Sequence, residues 1–234
     1  MITILHGDHI EASRKELNSL KLSGKGKEMR FLDGKNLDEA ALVQAFESSS
    51  LFADSTLTVV ERLFGPISKN PKKADWVANL LNGNIQKSDI IVWEDKTLTP
   101  ALLKKLDSYI IVRSFTIPVI IFTFLDSIRP LNSKNMLSLF TQLKETDSAE
   151  LVFSMIVKRI RMLIQLKDNV SPPGLADWQK NRLTSQVKSF TMDKLVSFYR
   201  KLYLIDSGIK KGISPLPMDA QIELLITAID DYGN

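Results

Sequence analysis

The stretch DIIVWEDKTLTPALLKKLDSYIIVRSF, Asp89 to Phe115, decides the fold. Asp89–Asp95 and Tyr109–Phe115 are short and rich in apolar, β-branched residues, so each predicts a strand. Between them Thr99-Pro100 reads as a helix start, with the hydroxyl as cap and proline in the first turn. Strand, helix and strand in that order imply a crossover connection. The expected product is a parallel sheet covered by helices on both faces.

The same alternation holds toward the N-terminus. ITIL (Ile2–Leu5) predicts a first strand that ends at His6-Gly7-Asp8, with a helical stretch after it to about Leu20. EMRFLD (Glu28–Asp33) predicts a second strand. Asn36 and Asp38 are caps for a helix through EAALVQAF, and LTVVE (Leu57–Glu61) predicts the third strand. From Pro118 onward the pattern is helical only. One apolar stripe runs through Leu151, Val152, Met155, Ile156, Ile160, Leu163 and Ile164 at spacings of three and four. Others run from Leu195 to Ile209 and from Ile222 to Ile229, with Pro172-Pro173-Gly174 and Pro215-Leu216-Pro217 as breakers between them. The expectation is an α/β domain over residues 1–116 and an all-α domain over residues 117–234.

Composition narrows the function classes. The 234 residues are 44% hydrophobic and 25% charged, enough for a substantial core. With no cysteine, disulfides and thiolate-bound zinc are excluded, which fits a reducing, cytoplasmic setting. The longest apolar run, Val119–Leu125, is broken by Thr123 and falls short of the ~18 residues of a membrane span. MITILHGD reads as a strand start rather than a basic leader, and no membrane partner is expected. The net charge of +4 permits an acidic partner such as DNA. Most of its excess lies in the second half, where residues 116–234 hold 15 basic and 12 acidic residues.

An α/β sheet with a turn after its first strand invites a nucleotide-binding reading. That chemistry needs glycines whose N–H groups converge on phosphate, a lysine, and a Ser or Thr for magnesium. HGDHIEASRKEL offers one glycine and no Gly-Lys-Ser/Thr, and SGKGK (Ser23–Lys27) precedes a strand instead of following one. His6, Asp8 and His9 could lie together, but they read as a helix-start turn rather than a metal site. Trp93-Glu94-Asp95-Lys96 reads as a strand-end turn. No GxSxG nucleophile element is present. No catalytic residue, metal or cofactor is therefore expected. Lys158, Arg159, Arg161, Lys210 and Lys211, on the helical half, are candidate contacts for DNA or another subunit.

One stretch suggests an interaction surface instead. In SSSLFADSTLTVVE (Ser48–Glu61), Leu51 and Phe52 stand side by side among small polar residues, at a helix–strand joint. Exposed there, they would suit a hydrophobic groove on a partner.

Taken in order, several segments resemble the delta subunit of the bacterial DNA polymerase III clamp loader. They are ITILHGDH, LVQAFESSSLFADSTLTVVE and SDIIVWEDKTLTPALLKKL in the first half. FTFLDSI, IVKRIRMLIQLK and LIDSGIKKG follow in the second, so the resemblance is collinear over most of the chain. It implies an AAA+-like α/β domain without a phosphate loop, followed by a helical collar domain. It further implies a non-catalytic subunit that binds the sliding clamp through Leu51 and Phe52 and helps open it for loading onto primed DNA in replication. The implied partners are the sliding clamp, ATPase and delta-prime-like subunits, and primed DNA. One departure is large: YIIVRSF runs through Thr116-Ile117-Pro118 straight into VIIFTFLDSI, leaving no room for the family's small helical lid domain. The alternatives from the residues alone are an α/β enzyme acting on a nucleotide or phosphorylated ligand, and a DNA-binding adaptor that works without a clamp.

Overall fold

The computed structural model describes residues 1–35, 38–47, 55–67, 70–85 and 89–232. The chain divides into two compact units, Met1–Ile117 and Pro118–Asn234.

The first unit is a five-stranded parallel sheet. Its strands are β1 (Ile2–His6), β2 (Glu28–Asp33), β3 (Thr56–Glu61), β4 (Asp89–Trp93) and β5 (Ile111–Ser114), in the order β2-β3-β4-β1-β5. This is an open, parallel α/β arrangement. Burial follows position. Every residue of central β1 is buried, whereas β5, at one edge, is exposed throughout. In the register, Thr3 is opposite Ile91 and Ile111, and Leu57 is opposite Asp89.

The twofold period of a strand sends alternate side chains to opposite faces. Ile2, Ile4, Val60, Ile90 and Val92 fill one face. Helices α2 (Glu39–Glu47), α4 (Pro71–Gly83) and α5 (Pro100–Leu103) cover it with Leu42, Phe46, Val77, Leu81 and Leu102. The short α3 (Phe64–Ile67) adds Phe64. Leu5, Leu57, Val59, Ile91 and Trp93 line the other face, where Leu17 of α1 (Ile10–Ser23) covers them. The expected caps are present. Asp38 Oδ1 accepts from Ala41 N at 2.7 Å, and Thr99 Oγ1 accepts from Leu102 N at 3.3 Å. Asn36 lies outside the described residues.

The second unit is all helical among the described residues: α6 (Val119–Ser127), α7 (Ser133–Lys144), α8 (Ala149–Lys167), α9 (Asp177–Val187), α10 (Met192–Lys210) and α11 (Met218–Thr227), then a 3₁₀ turn. Helix α8 packs against α6, α9, α10 and α11. It turns Val152, Ile156, Ile160 and Leu163 inward, as the stripe predicts. Ser148 and Thr191 cap α8 and α10. Residues 115–118 alone separate β5 from α6. Among the described residues no helix is long and apolar enough to cross a membrane.

Candidate functional site

In a parallel α/β sheet, ligand sites form at the carboxyl ends of the strands, where loops leave the sheet. Here that edge is closed by its own backbone. Gly7 N donates to Lys96 O at 3.2 Å, and His9 N donates to Phe115 O at 3.0 Å. Phe115 N donates to His6 O at 2.7 Å, and Glu94 N to Leu5 O at 2.8 Å. The turn after β1 is thus zipped to the exits of β4 and β5. Gly7 has φ +137°, and a Cβ placed on it would fall 1.8 Å from Phe115 O. Asp8 Oδ1 then accepts from Ile117 N at 3.0 Å, so this turn presents a carboxylate. A phosphate cradle needs free, convergent N–H groups and a positive field. The N–H groups of Gly7 and His9 are already used, and the added charge has the wrong sign.

The two histidines serve the same fold. Buried His6 accepts from Leu98 N through Nδ1 at 3.3 Å, and burial pushes its pKa down. His9 caps α1, with Nδ1 accepting from Ala12 N at 3.3 Å. A ring nitrogen that accepts in this way leaves the proton on Nε2 of the neutral form. Among the described residues, no group of three or more His, Cys, Asp or Glu is placed to hold a metal.

At the end of β4, Glu94 is 1% exposed and points inward. Its Oε1 accepts from Phe64 N at 2.6 Å. Burial pushes this carboxyl up to about 7 against the opposing pull of backbone N–H groups, that of Phe64 first. The carboxylate therefore anchors the chain after β3 and does not face solvent as a metal ligand would. A cavity of about 390 Å³ beside it is bounded by Lys96, Thr97 and Lys105. Lys105 is ion-paired to Asp75. On the opposite face of β4, Trp93 Nε1 donates to Ser13 Oγ at 3.1 Å, and the Arg14 guanidinium stacks 3.6 Å over its ring. Arg14 also forks onto Glu61 at 2.5 and 2.7 Å, which holds that carboxyl below its ordinary range.

Leu51 and Phe52 lie outside the described residues. Their flanks are placed: α2 ends at Glu47, and Ser55 O accepts from Glu28 N at 3.1 Å just before β3 begins. Both flanks belong to the edge of the sheet where strands start, opposite the closed turn after β1.

The five cations of the helical unit separate. Arg159 is not a surface charge. It is 8% exposed, with Nη1 donating to Asp126 at 2.9 Å and to Gln186 at 3.1 Å. Lys158, one residue earlier, is exposed, and both residues line a groove between α8 and α9. Arg161 and Lys210 border a cavity of about 570 Å³ between α8 and α10. There Arg161 donates to Tyr199 Oη at 3.1 Å and Lys210 pairs with Asp206 at 2.8 Å. Lys211 is exposed at the end of α10.

No protein-family model and no curated protein matches the chain. Among solved structures, it is similar to the Bacillus subtilis DNA clamp loader delta protein (YqeN), with a TM-score of 0.44 and 12% identity. The superposition covers 98% of this chain and 95% of that one.

Proposed function

We propose that the chain is a non-catalytic interaction subunit built on an AAA+-like sheet unit. More particularly, we propose a delta-type subunit of a DNA polymerase III clamp loader, which binds the sliding clamp and helps open it for loading onto primed DNA. One observation carries the assignment: the turn after β1 spends its Gly7 and His9 N–H groups on Lys96 and Phe115. An α/β unit closed in this way has no place for a nucleotide phosphate. The ordered, delta-like sequence segments support the choice of partner.

In this reading residues 1–116 are the clamp-binding domain and residues 117–234 the collar that meets ATPase and delta-prime-like subunits. Leu51 and Phe52 enter a hydrophobic groove on the clamp. Full burial of each contributes roughly 1.5–3 kcal/mol before ordering costs. Lys158, Arg161, Lys210 and Lys211, the solvent-facing members of the five cations, are assigned to subunit or DNA contact.

The test is a pull-down of the cognate sliding clamp by the full chain. Wild type should capture the clamp, and a folded Leu51→Ala, Phe52→Ala double variant should not. Capture undiminished in the double variant removes the site. No capture by wild type removes the function.

A further inference from the structure

The helical unit carries a groove that the clamp-binding reading does not use. Helices α6, α8 and α9 line it, around a cavity of about 420 Å³. Its apolar lining includes Phe122, Met155, Met162 and Trp178. Three large side chains here are held in water: Val119 is 78% exposed, Trp178 60% and Phe122 40%. Leaving aromatic and aliphatic surface of this size solvated is unfavourable, and aromatic side chains of this kind are common anchors at interfaces.

The charge of the groove selects among occupants. Lys158, Arg159 and Arg182 line it, and the single carboxylate among the lining residues is Asp126. Asp126 is already shared, at 2.9 Å from Arg159 and 3.0 Å from Arg182. Arg159 Nε is buried and has no hydrogen-bond partner. The Arg182 guanidinium sits 5.3 Å from the Trp178 ring centre and is itself largely exposed. The groove therefore has an apolar bed and a net positive lining, with Lys158 and Arg182 as its exposed cations.

Its dimensions fit a helix. Met155 and Met162 are seven residues apart on α8, about two turns or ~10 Å along the wall. That is the span of side chains at i, i+4 and i+7 on a partner helix. Methionine walls adapt to the anchors they receive.

We propose that the α6–α8–α9 groove is a docking site for an acidic amphipathic helix of another protein. Its apolar face packs on Phe122, Met155, Met162 and Trp178, and its Asp or Glu side chains meet Lys158 and Arg182.

A displayed library of randomised 16-residue peptides, half helix-biased and half proline-rich, selected on the full chain, tests this. The expected result is enrichment of helix-biased sequences with net negative charge. Their affinity should drop about tenfold in Lys158→Glu and in Trp178→Ser, both exposed positions whose folding is checked by circular dichroism. Enrichment of basic, neutral or proline-rich sequences would overturn the proposal. So would no enrichment, or binding that both variants leave unchanged.

Discussion

Gly7 lies so close to Phe115 that no side chain fits between them: a Cβ at Gly7 would stand 1.8 Å from the Phe115 carbonyl oxygen. Its φ of +137° is also one that only glycine adopts without strain. This contact draws the exit of β1 against the exit of β5 and closes the turn. Gly7→Ala should destabilise the sheet unit by about 3 kcal/mol or more, because backbone must move on both sides. Urea unfolding followed by tryptophan emission measures it. A loss under about 1 kcal/mol would mean that the turn can open cheaply.

The same closure predicts silence toward nucleotides. A ligand at about a hundredfold above its Kd stabilises by about 2.7 kcal/mol, a shift of several degrees for a unit of this size. With about 1 mM ATP, ADP or GTP and magnesium, the melting temperature should move by less than about 1 °C. A shift of several degrees with any of them would contradict the closed turn and revive the enzyme reading.

Much of the sheet is legible in the sequence for a physical reason. Strands covered on both faces read as continuous apolar runs, and DIIVW and LTVV are of that kind. The stripes of α8, α10 and α11 were equally plain. Helix α9 was not, since DWQKNRLTSQV buries only Leu183, Gln186 and Val187 and shows no stripe. Arg159 reads locally as one of a cluster of surface cations. A signal was nevertheless present, because it stands three residues after Ile156 and four before Leu163, on the buried face. Its partners Asp126 and Gln186 come from other helices, which no local pattern announces. Glu94 is a similar case: nothing in WEDK shows that the carboxyl will fold under Phe64.

That buried carboxyl has a pH signature. Its folded pKa of about 7 lies above the ordinary 4.5, so between those values the folded state holds more proton than the unfolded one. Stability is then fully present below about pH 4.5 and is lost as pH rises through 7. The loss is about 3 kcal/mol by pH 8, from roughly 1.4 kcal/mol per pH unit. His6 slopes the other way, but only below its ordinary pKa of 6.5. Glu94→Gln keeps an oxygen for Phe64 N and removes the ionisation. The variant should therefore gain on wild type between pH 6.5 and 8 in urea midpoints. Parallel curves across that range would show that Glu94 is ionised in the fold.

Gln186 joins three elements through one amide. Its Nε2 donates to Leu125 O and Ile128 O, both at 2.8 Å, and its Oε1 accepts from Arg159 at 3.1 Å. The two carbonyls lie at the end of α6, where Leu125 O otherwise has only a long bond from Ile128 N at 3.4 Å. Gln186→Leu keeps the volume but takes the side-chain donor from both carbonyls, leaves Leu125 O only its long bond from Ile128 N, and weakens the hold on a buried cation. A buried group left without its donor costs about 1–3 kcal/mol, so the helical unit should lose about 2 kcal/mol. Urea titration followed by far-ultraviolet circular dichroism reads this, with the exposed neighbour Ser185→Ala as a control expected within about 0.5 kcal/mol. Equal midpoints for the two variants would show that the amide does not hold α6, α8 and α9 together.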